Sequence, residues 1–314
     1  MLRPLLSLLL LAGAAAAHDF WLRPASFAPA EQTPLAVQLM VGQGGAGEPV
    51  ARNDARLLRF ALLDATGERP LAGRDGADPA GLVRVQRAGA QWLVFTAAPA
   101  FIELEGAKFD AYLQEEGLDA ITARRAERGE AGAPAREIYR RCAKSLLHAH
   151  TAVQPAVVPD DDRATLPVGL PLELLPLRDP AGLSPGADGA DLTVRLLWQG
   201  QPLEGALVKA TLLVDSAPKP AASTPATGAA PAALPFGAPA ATGLRVRTDA
   251  RGDAVLHLPR GGAWFVGAEH MIVAEGGVAL EGLSAADPAR GREALPPADY
   301  ESFWASLTFE VPAR

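Results

Sequence analysis

Short stretches of strand-like sequence recur along the whole chain, and this pattern constrains the fold more than any other feature. In 34–41 and 56–64, apolar and polar residues partly alternate, and each stretch ends at a turn. Similar stretches return at 192–198, 206–213 and 263–270. Many short strands separated by turns are typical of β-sandwiches. The sequence therefore predicts an all-β fold made of two Ig-like β-sandwich domains in tandem.

One charged stretch departs from this alternation. Between Lys108 and Arg128 the apolar residues fall nearer to helical spacing, among many charged residues. We therefore expect a small helical insertion at about 108–143. From the residues alone, 134–150 fits either a second helix or a strand, and its end at Leu146 to His150 could be extended.

Length and local composition predict the domain boundaries. A chain of 314 residues has room for two domains. The acidic run that starts at Asp160 suggests a linker, so we expect an N-terminal sandwich at 18–160. The C-terminal sandwich, at 161–314, would be Ig-like or carboxypeptidase-regulatory-like. Within it, 216–242 is almost wholly Ala, Pro, Ser, Thr and Gly, which predicts a flexible exposed loop.

The first 17 residues have the features of a signal peptide. Arg3 supplies a basic start, a leucine run supplies the apolar region, and Ala15 and Ala17 supply a cleavage site. Cleavage after Ala17 would make His18 the first residue of the mature protein. No later apolar run is long enough for a transmembrane helix, so we expect a periplasmic or secreted protein without stable membrane insertion. The single cysteine, Cys142, rules out an internal disulfide.

The net charge and the absence of certain motifs argue against several classes of function. The net charge of −7 argues against nucleic acid as a partner and is compatible with attracting cations. Metalloprotease, serine-hydrolase and phosphate-binding-loop motifs do not occur in the sequence. The sequence therefore does not support these classes of enzyme.

The histidines are the candidate metal ligands. As an N-terminal residue, His18 would chelate a metal with both its α-amine and its ring Nδ1. His270 ends a strongly apolar stretch and is the expected third ligand, with Glu269 beside it as a hydrogen-bonding partner. His148 and His150 are reserve ligands, since they share one face only if the chain is extended there. Each histidine could instead be an ordinary packing or surface residue.

Four motifs carry a family resemblance. They are 18–22 directly after the leader, 139–144, the hairpin at 201–208 with 248–252, and 300–309. Together they resemble a bacterial family, domain of unknown function 4198, which is NikM-like and described as the periplasmic component of cobalt or nickel uptake. The resemblance implies a secreted, two-part β-sandwich with a non-enzymatic role linked to a metal. It also implies that the stretch from Cys142 to His150 is extended.

The sequence and the resemblance lead to one expected function and two alternatives. We expect a periplasmic protein that captures or delivers a divalent transition metal (nickel, cobalt or copper) for uptake. Its partner would be a metal permease or another uptake component. The first alternative is an Ig-like structural or carbohydrate-binding module without a metal. The second is a copper oxygenase that uses an N-terminal histidine brace.

Overall fold

The computed structural model describes residues 18–151, 162–214, 243–274 and 295–313. The predicted leader and the predicted flexible loop at 216–242 lie outside these residues, as does most of the predicted linker. Within the described ranges the chain forms 17 strands and two α-helices. None of the helices described there is long and apolar enough to cross a membrane.

The elements are as follows. Those before residue 152 are β1 (Asp19–Pro24), β2 (Pro34–Gln43), β3 (Ala46–Val50), β4 (Leu57–Asp64), β5 (Gly67–Pro70), β6 (Gly81–Arg84), β7 (Gly89–Ala97), β8 (Ala100–Leu104), α1 (Gly106–Glu115), α2 (Asp119–Glu127) and β9 (Ala135–Ala149). Those after residue 161 are β10 (Leu172–Pro176), β11 (Ala190–Trp198), β12 (Gln201–Pro202), β13 (Leu207–Leu212), β14 (Leu244–Arg247), β15 (Asp253–Leu258), β16 (Gly262–Val273) and β17 (Tyr300–Val311). Short 3₁₀ turns occupy Asp54–Arg56, Asp162–Thr165 and Pro180–Gly182.

A nine-stranded sheet forms the centre of the molecule. Its strands lie in the order β14-β13-β16-β17-β9-β7-β4-β5, and β8 pairs with one end of β9. At the middle of the sheet, β17 runs parallel to β9, in a register that begins with Tyr300 opposite Glu137. Strands from both predicted domains therefore belong to one sheet, and the two segments are joined by more than a linker.

Two four-stranded sheets pack against opposite faces of this central sheet. The first contains β1, β2, β3 and β6, and the second contains β10, β11, β12 and β15. In the first interface Leu22 and Leu39 pack with Phe95. In the second, Leu192 and Val266 belong to the other large apolar cluster. The all-β, sandwich-like prediction is confirmed, with the central sheet shared between the two sandwiches.

The helical insertion covers part of the face that also carries β1. Phe109 and Ile121 pack there with Met271 and Tyr300, from β16 and β17. The insertion is shorter than the predicted 108–143, because α2 ends at Glu127 and β9 begins at Ala135. Gly129 and Gly132, both with positive φ, lie in the turn that stops the helix. The strand implied for Cys142 to His150 is present from Cys142 to Ala149, where β9 ends, and His150 forms an isolated β-bridge with Ala30.

Candidate functional site

The start of β1 is held firmly against the central sheet. The side chains of Phe20, Trp21 and Leu22 are 7%, 1% and 0% exposed. The Trp21 ring meets the Phe265 ring of β16 edge-on, with their centroids 5.7 Å apart. These anchors fix the position of the adjoining His18 at the beginning of the described chain.

A small pocket lies beside this anchored start. Its polar wall contains Asp19 of β1, Glu116 at the end of α1, Lys209 of β13 and Ser306 of β17. Its apolar wall is formed by Phe20, Phe265, Gly267, Ala268, Trp304 and Ala305. The space is about large enough for one water molecule. Four separate elements thus bring two carboxylates, an ammonium and a hydroxyl to one place.

Lys209 lies between the two carboxylates. Its Nζ is 2.7 Å from Oε1 of Glu116 and 3.6 Å from Oδ1 of Asp19. The strand explains this orientation, because Val208 and Ala210 pack into the core on the opposite face of the sheet. Burial acts to lower the pKa of Lys209, but Asp19 and Glu116 together hold that pKa above its ordinary value. The lysine therefore remains a cation at neutral pH.

The Glu116 carboxyl group is nearly inaccessible. Its side chain is 3% exposed. Burial raises the pKa of Glu116, the Lys209 ammonium opposes that rise, and the Asp19 charge adds to it. The pocket therefore contains two carboxyl groups and one cation, and the Lys209 ammonium favours the ionised form of Glu116.

Behind the pocket runs a chain of buried hydrogen-bonding groups. The Tyr112 hydroxyl contacts Oε1 of Glu269 and lies 3.2 Å from Oε1 of Glu137. The Ser302 hydroxyl donates to the same oxygen of Glu137, and the Trp304 indole N–H donates to Ser302 Oγ at 3.1 Å. A tyrosine hydroxyl has one hydrogen and cannot donate to both carboxyl groups. A proton on one of the two carboxyl groups would supply the missing hydrogen for this series of hydrogen bonds.

The pKa shifts in this chain agree with a bound proton. Burial raises the pKa of Glu137 to about 7, against the opposing effect of its Ser302 and Tyr112 hydrogen bonds. Burial, and then the charges of Glu116 and Glu137, hold the pKa of Glu269 well above its usual range. Burial and the neighbouring glutamates also raise the pKa of Tyr112. Each of these pKa shifts favours the neutral, protonated form of the group.

Two buried polar atoms at this site lack a hydrogen-bond partner among the described residues. They are Oε2 of Glu269 and Oγ of Ser306. Ser306 is 5% exposed and lines the pocket. Buried polar atoms are almost always paired, so this side of the site has hydrogen-bonding capacity for a water molecule or a ligand.

The structure does not bring His270 to the start of β1. Glu269 points towards Tyr112, and the next residue, His270, lies on the other face of β16. The His270 ring is 4.9 Å from the Trp198 ring, and burial lowers the pKa of His270. The central sheet therefore separates His270 from the pocket, whereas Glu269 is on the pocket side.

The reserve histidines also have other partners. Nε2 of His148 is 2.9 Å from Oδ2 of Asp179, and Nδ1 of His150 is 3.0 Å from the Thr151 carbonyl oxygen. The His148 backbone N–H donates to Phe27, beyond the far end of β1. In the part of the chain that the structure describes, no three His, Cys, Asp or Glu side chains converge closely enough to hold a metal ion.

Sequence reasoning missed most of the polar groups at this site. Tyr112, Glu116, Glu137 and Lys209 were not among the predicted site residues. One available signal was the position of Lys209 as a lone charge between apolar neighbours of a strand. Such a charge needs a partner when the strand is covered on both faces.

Comparison with known proteins identifies a family but no characterised relative. A family model described as "Domain of unknown function (DUF4198)" matches residues 15–272. No curated protein and no solved structure matches the chain. The match agrees with the resemblance seen in the sequence motifs. The description of the family names no activity.

Proposed function

Because this chain belongs to the DUF4198 family of domains of unknown function, we propose its function from the site itself. The protein binds a divalent transition-metal cation (nickel, cobalt or copper) outside the cytoplasm. It captures or delivers that cation for uptake. His18 of the mature chain is the principal ligand.

One observation supports this proposal: Asp19 at the start of β1 lines an acidic pocket, and His18 is the residue directly before it. The mature residue would offer its α-amine and ring Nδ1, and the adjoining Asp19 and Glu116 would offer carboxylate oxygens. Nitrogen and oxygen donors together suit nickel, cobalt and copper. The α-amine is a donor that exists only after the leader is removed, so the site is complete only in the processed protein.

The ligand set differs from the one expected from sequence. His270 is replaced by the carboxylates, since it lies across the central sheet from the pocket. Glu269 keeps a supporting position behind the pocket, through its contact with Tyr112. The partner in this proposal is a metal permease or another uptake component, and the leader predicts a periplasmic or secreted location.

The proposal is tested with protein that begins at His18. Affinity for Ni²⁺, Co²⁺ and Cu²⁺ is measured by calorimetry on this chain and on a chain with one alanine added before His18. The added residue keeps the imidazole but displaces the amine. We expect affinity to fall at least about tenfold in the extended chain, and further in His18→Ala.

A matched control is His257→Ala. His257 is an exposed histidine that pairs with Asp191 at 2.8 Å, away from the pocket, so its removal should leave affinity unchanged. If the extended chain and His18→Ala bind these metals as tightly as the parent, the proposed function is wrong. The structural or carbohydrate-binding module would then be the better interpretation.

A further inference from the structure

We propose that Lys209 is a built-in competitor for the cation: its ammonium occupies the position between Asp19 and Glu116 that a bound metal ion would take. This inference rests on the proposed function. In this role, Lys209 sets the affinity of the pocket for the cation and makes cation binding reversible. A protein that hands its cargo on needs such reversibility.

The contacts of Lys209 support this role. Its Nζ lies 2.7 Å from Glu116 and 3.6 Å from Asp19, so it bridges the two carboxylates that face the pocket. With the ammonium in place, the two carboxylates are already satisfied.

A second observation points to a ligand in the same pocket. Ser306 Oγ is buried in the pocket wall without a hydrogen-bond partner, and Oε2 of Glu269 is also without one. The lysine therefore neutralises charge without satisfying the polar groups around it. A hydrated cation or a cation-bound water would do both.

Lys209 also has a route out of the pocket. Its side chain is 18% exposed, whereas that of Glu116 is 3% exposed. A lysine carries its charge on a flexible four-carbon chain and can extend its ammonium into solvent. An arriving divalent cation can thus take over the carboxylates while the lysine turns outward, and the reverse movement releases the cation.

The first experiment substitutes Lys209 and measures metal affinity. Ni²⁺ affinity is measured by calorimetry for mature chains carrying Lys209→Gln, Lys209→Met or Lys209→Arg. Removing the positive charge should tighten binding about tenfold or more in the first two variants, because a full charge a few ångströms from the metal is lost. Lys209→Arg keeps the charge and should bind like the parent. The control Lys108→Gln removes an exposed lysine on α1 and should change nothing.

The second experiment uses the unmodified mature chain and needs no variant to fold. Acetylation of each lysine is followed by mass spectrometry with and without Ni²⁺. Labelling of Lys209 should rise several-fold when the metal binds, while labelling of Lys108 stays constant.

The outcomes separate this inference from the proposed function. If the chain binds Ni²⁺ through its N-terminus but Lys209 labelling does not change, Lys209 is not a competitor. A folded Lys209→Gln protein that binds no more tightly than the parent would also exclude that role. If no chain binds metal at all, the proposed function fails, and this inference fails with it.

Discussion

Tyr112 and Glu269 are 157 residues apart in the chain, yet the hydroxyl of Tyr112 contacts Oε1 of Glu269 in the protein interior. The contact joins helix α1 to strand β16. Glu137, from β9, lies on the other side of the same hydroxyl. The helical insertion is thus fixed to the central sheet by polar as well as apolar contacts, and the polar contacts depend on a shared proton.

The Tyr112→Phe substitution should destabilise the protein by about 1–3 kcal/mol. The ring remains in place, but Glu137 and Glu269 lose the hydroxyl between them and stay buried. Urea unfolding of the parent and the variant measures the effect. Tyr139→Phe, also in the central sheet but outside this chain of hydrogen bonds, is the control and should differ little. Equal stability of Tyr112→Phe and the parent would contradict the shared-proton arrangement.

The Glu137 carboxyl group should make stability depend on pH. Burial raises its pKa from 4.5 to about 7 in the folded protein, so the folded state holds a proton that the unfolded state has released. Its contribution is complete below about pH 4.5 and is lost as the pH rises through 7, by up to about 3 kcal/mol. Glu116 and Glu269, whose pKa values are also raised, act in the same direction.

The Glu137→Gln variant tests this dependence. The amide imitates the protonated acid, so the variant should lose part of the decline in thermal unfolding midpoint between pH 5 and 8. Glu310→Gln, at an exposed position of β17, should retain the full decline. A Glu137→Gln protein with the same pH profile as the parent would show that Glu137 is ionised throughout.

Individual strands could be predicted from the sequence, but their pairing into sheets could not. Alternating apolar residues correctly indicated strands such as β4 and β11, because each of these patterns is local. β9 was ambiguous because it is buried on both faces, which removes the alternation that marks a half-exposed strand. The parallel pairing of β17 with β9 joins distant segments, and no local pattern encodes it.

The site was predictable only at its N-terminal end. The apolar anchors after His18 can be read from the sequence, and the structure buries them. The partners of Lys209 cannot be read in this way, because Asp19 and Glu116 come from β1 and the end of α1. Likewise, alternation along β16 places Glu269 and His270 on opposite faces, but only the packing decides which face carries the pocket.

The buried ion pair between Lys144 and Glu173 should matter for stability. Nζ of Lys144 is 2.6 Å from Oε1 of Glu173, and the two side chains are 0% and 2% exposed. Lys144→Met leaves the carboxylate buried without its cation, which should cost about 3–5 kcal/mol in urea unfolding. Lys108→Met removes an exposed lysine and should cost little. A loss below about 1 kcal/mol for Lys144→Met would contradict an ionised pair.

The anchoring of β1 should control both stability and the proposed metal site. Trp21 is 1% exposed and packs with Phe265 and Met40. Trp21→Ala should therefore destabilise the protein by about 3–5 kcal/mol. If the variant remains folded, its strand should also hold His18 less firmly, and Ni²⁺ affinity should fall.

Two measurements on the same preparation separate these effects. Urea unfolding reports the loss of packing, and calorimetry at a temperature where the variant is folded reports the loss of metal affinity. Leu82→Ala truncates an apolar side chain that is 49% exposed and should leave both quantities nearly unchanged. A destabilised but folded Trp21→Ala protein with unchanged Ni²⁺ affinity would show that metal binding does not depend on the anchoring of β1.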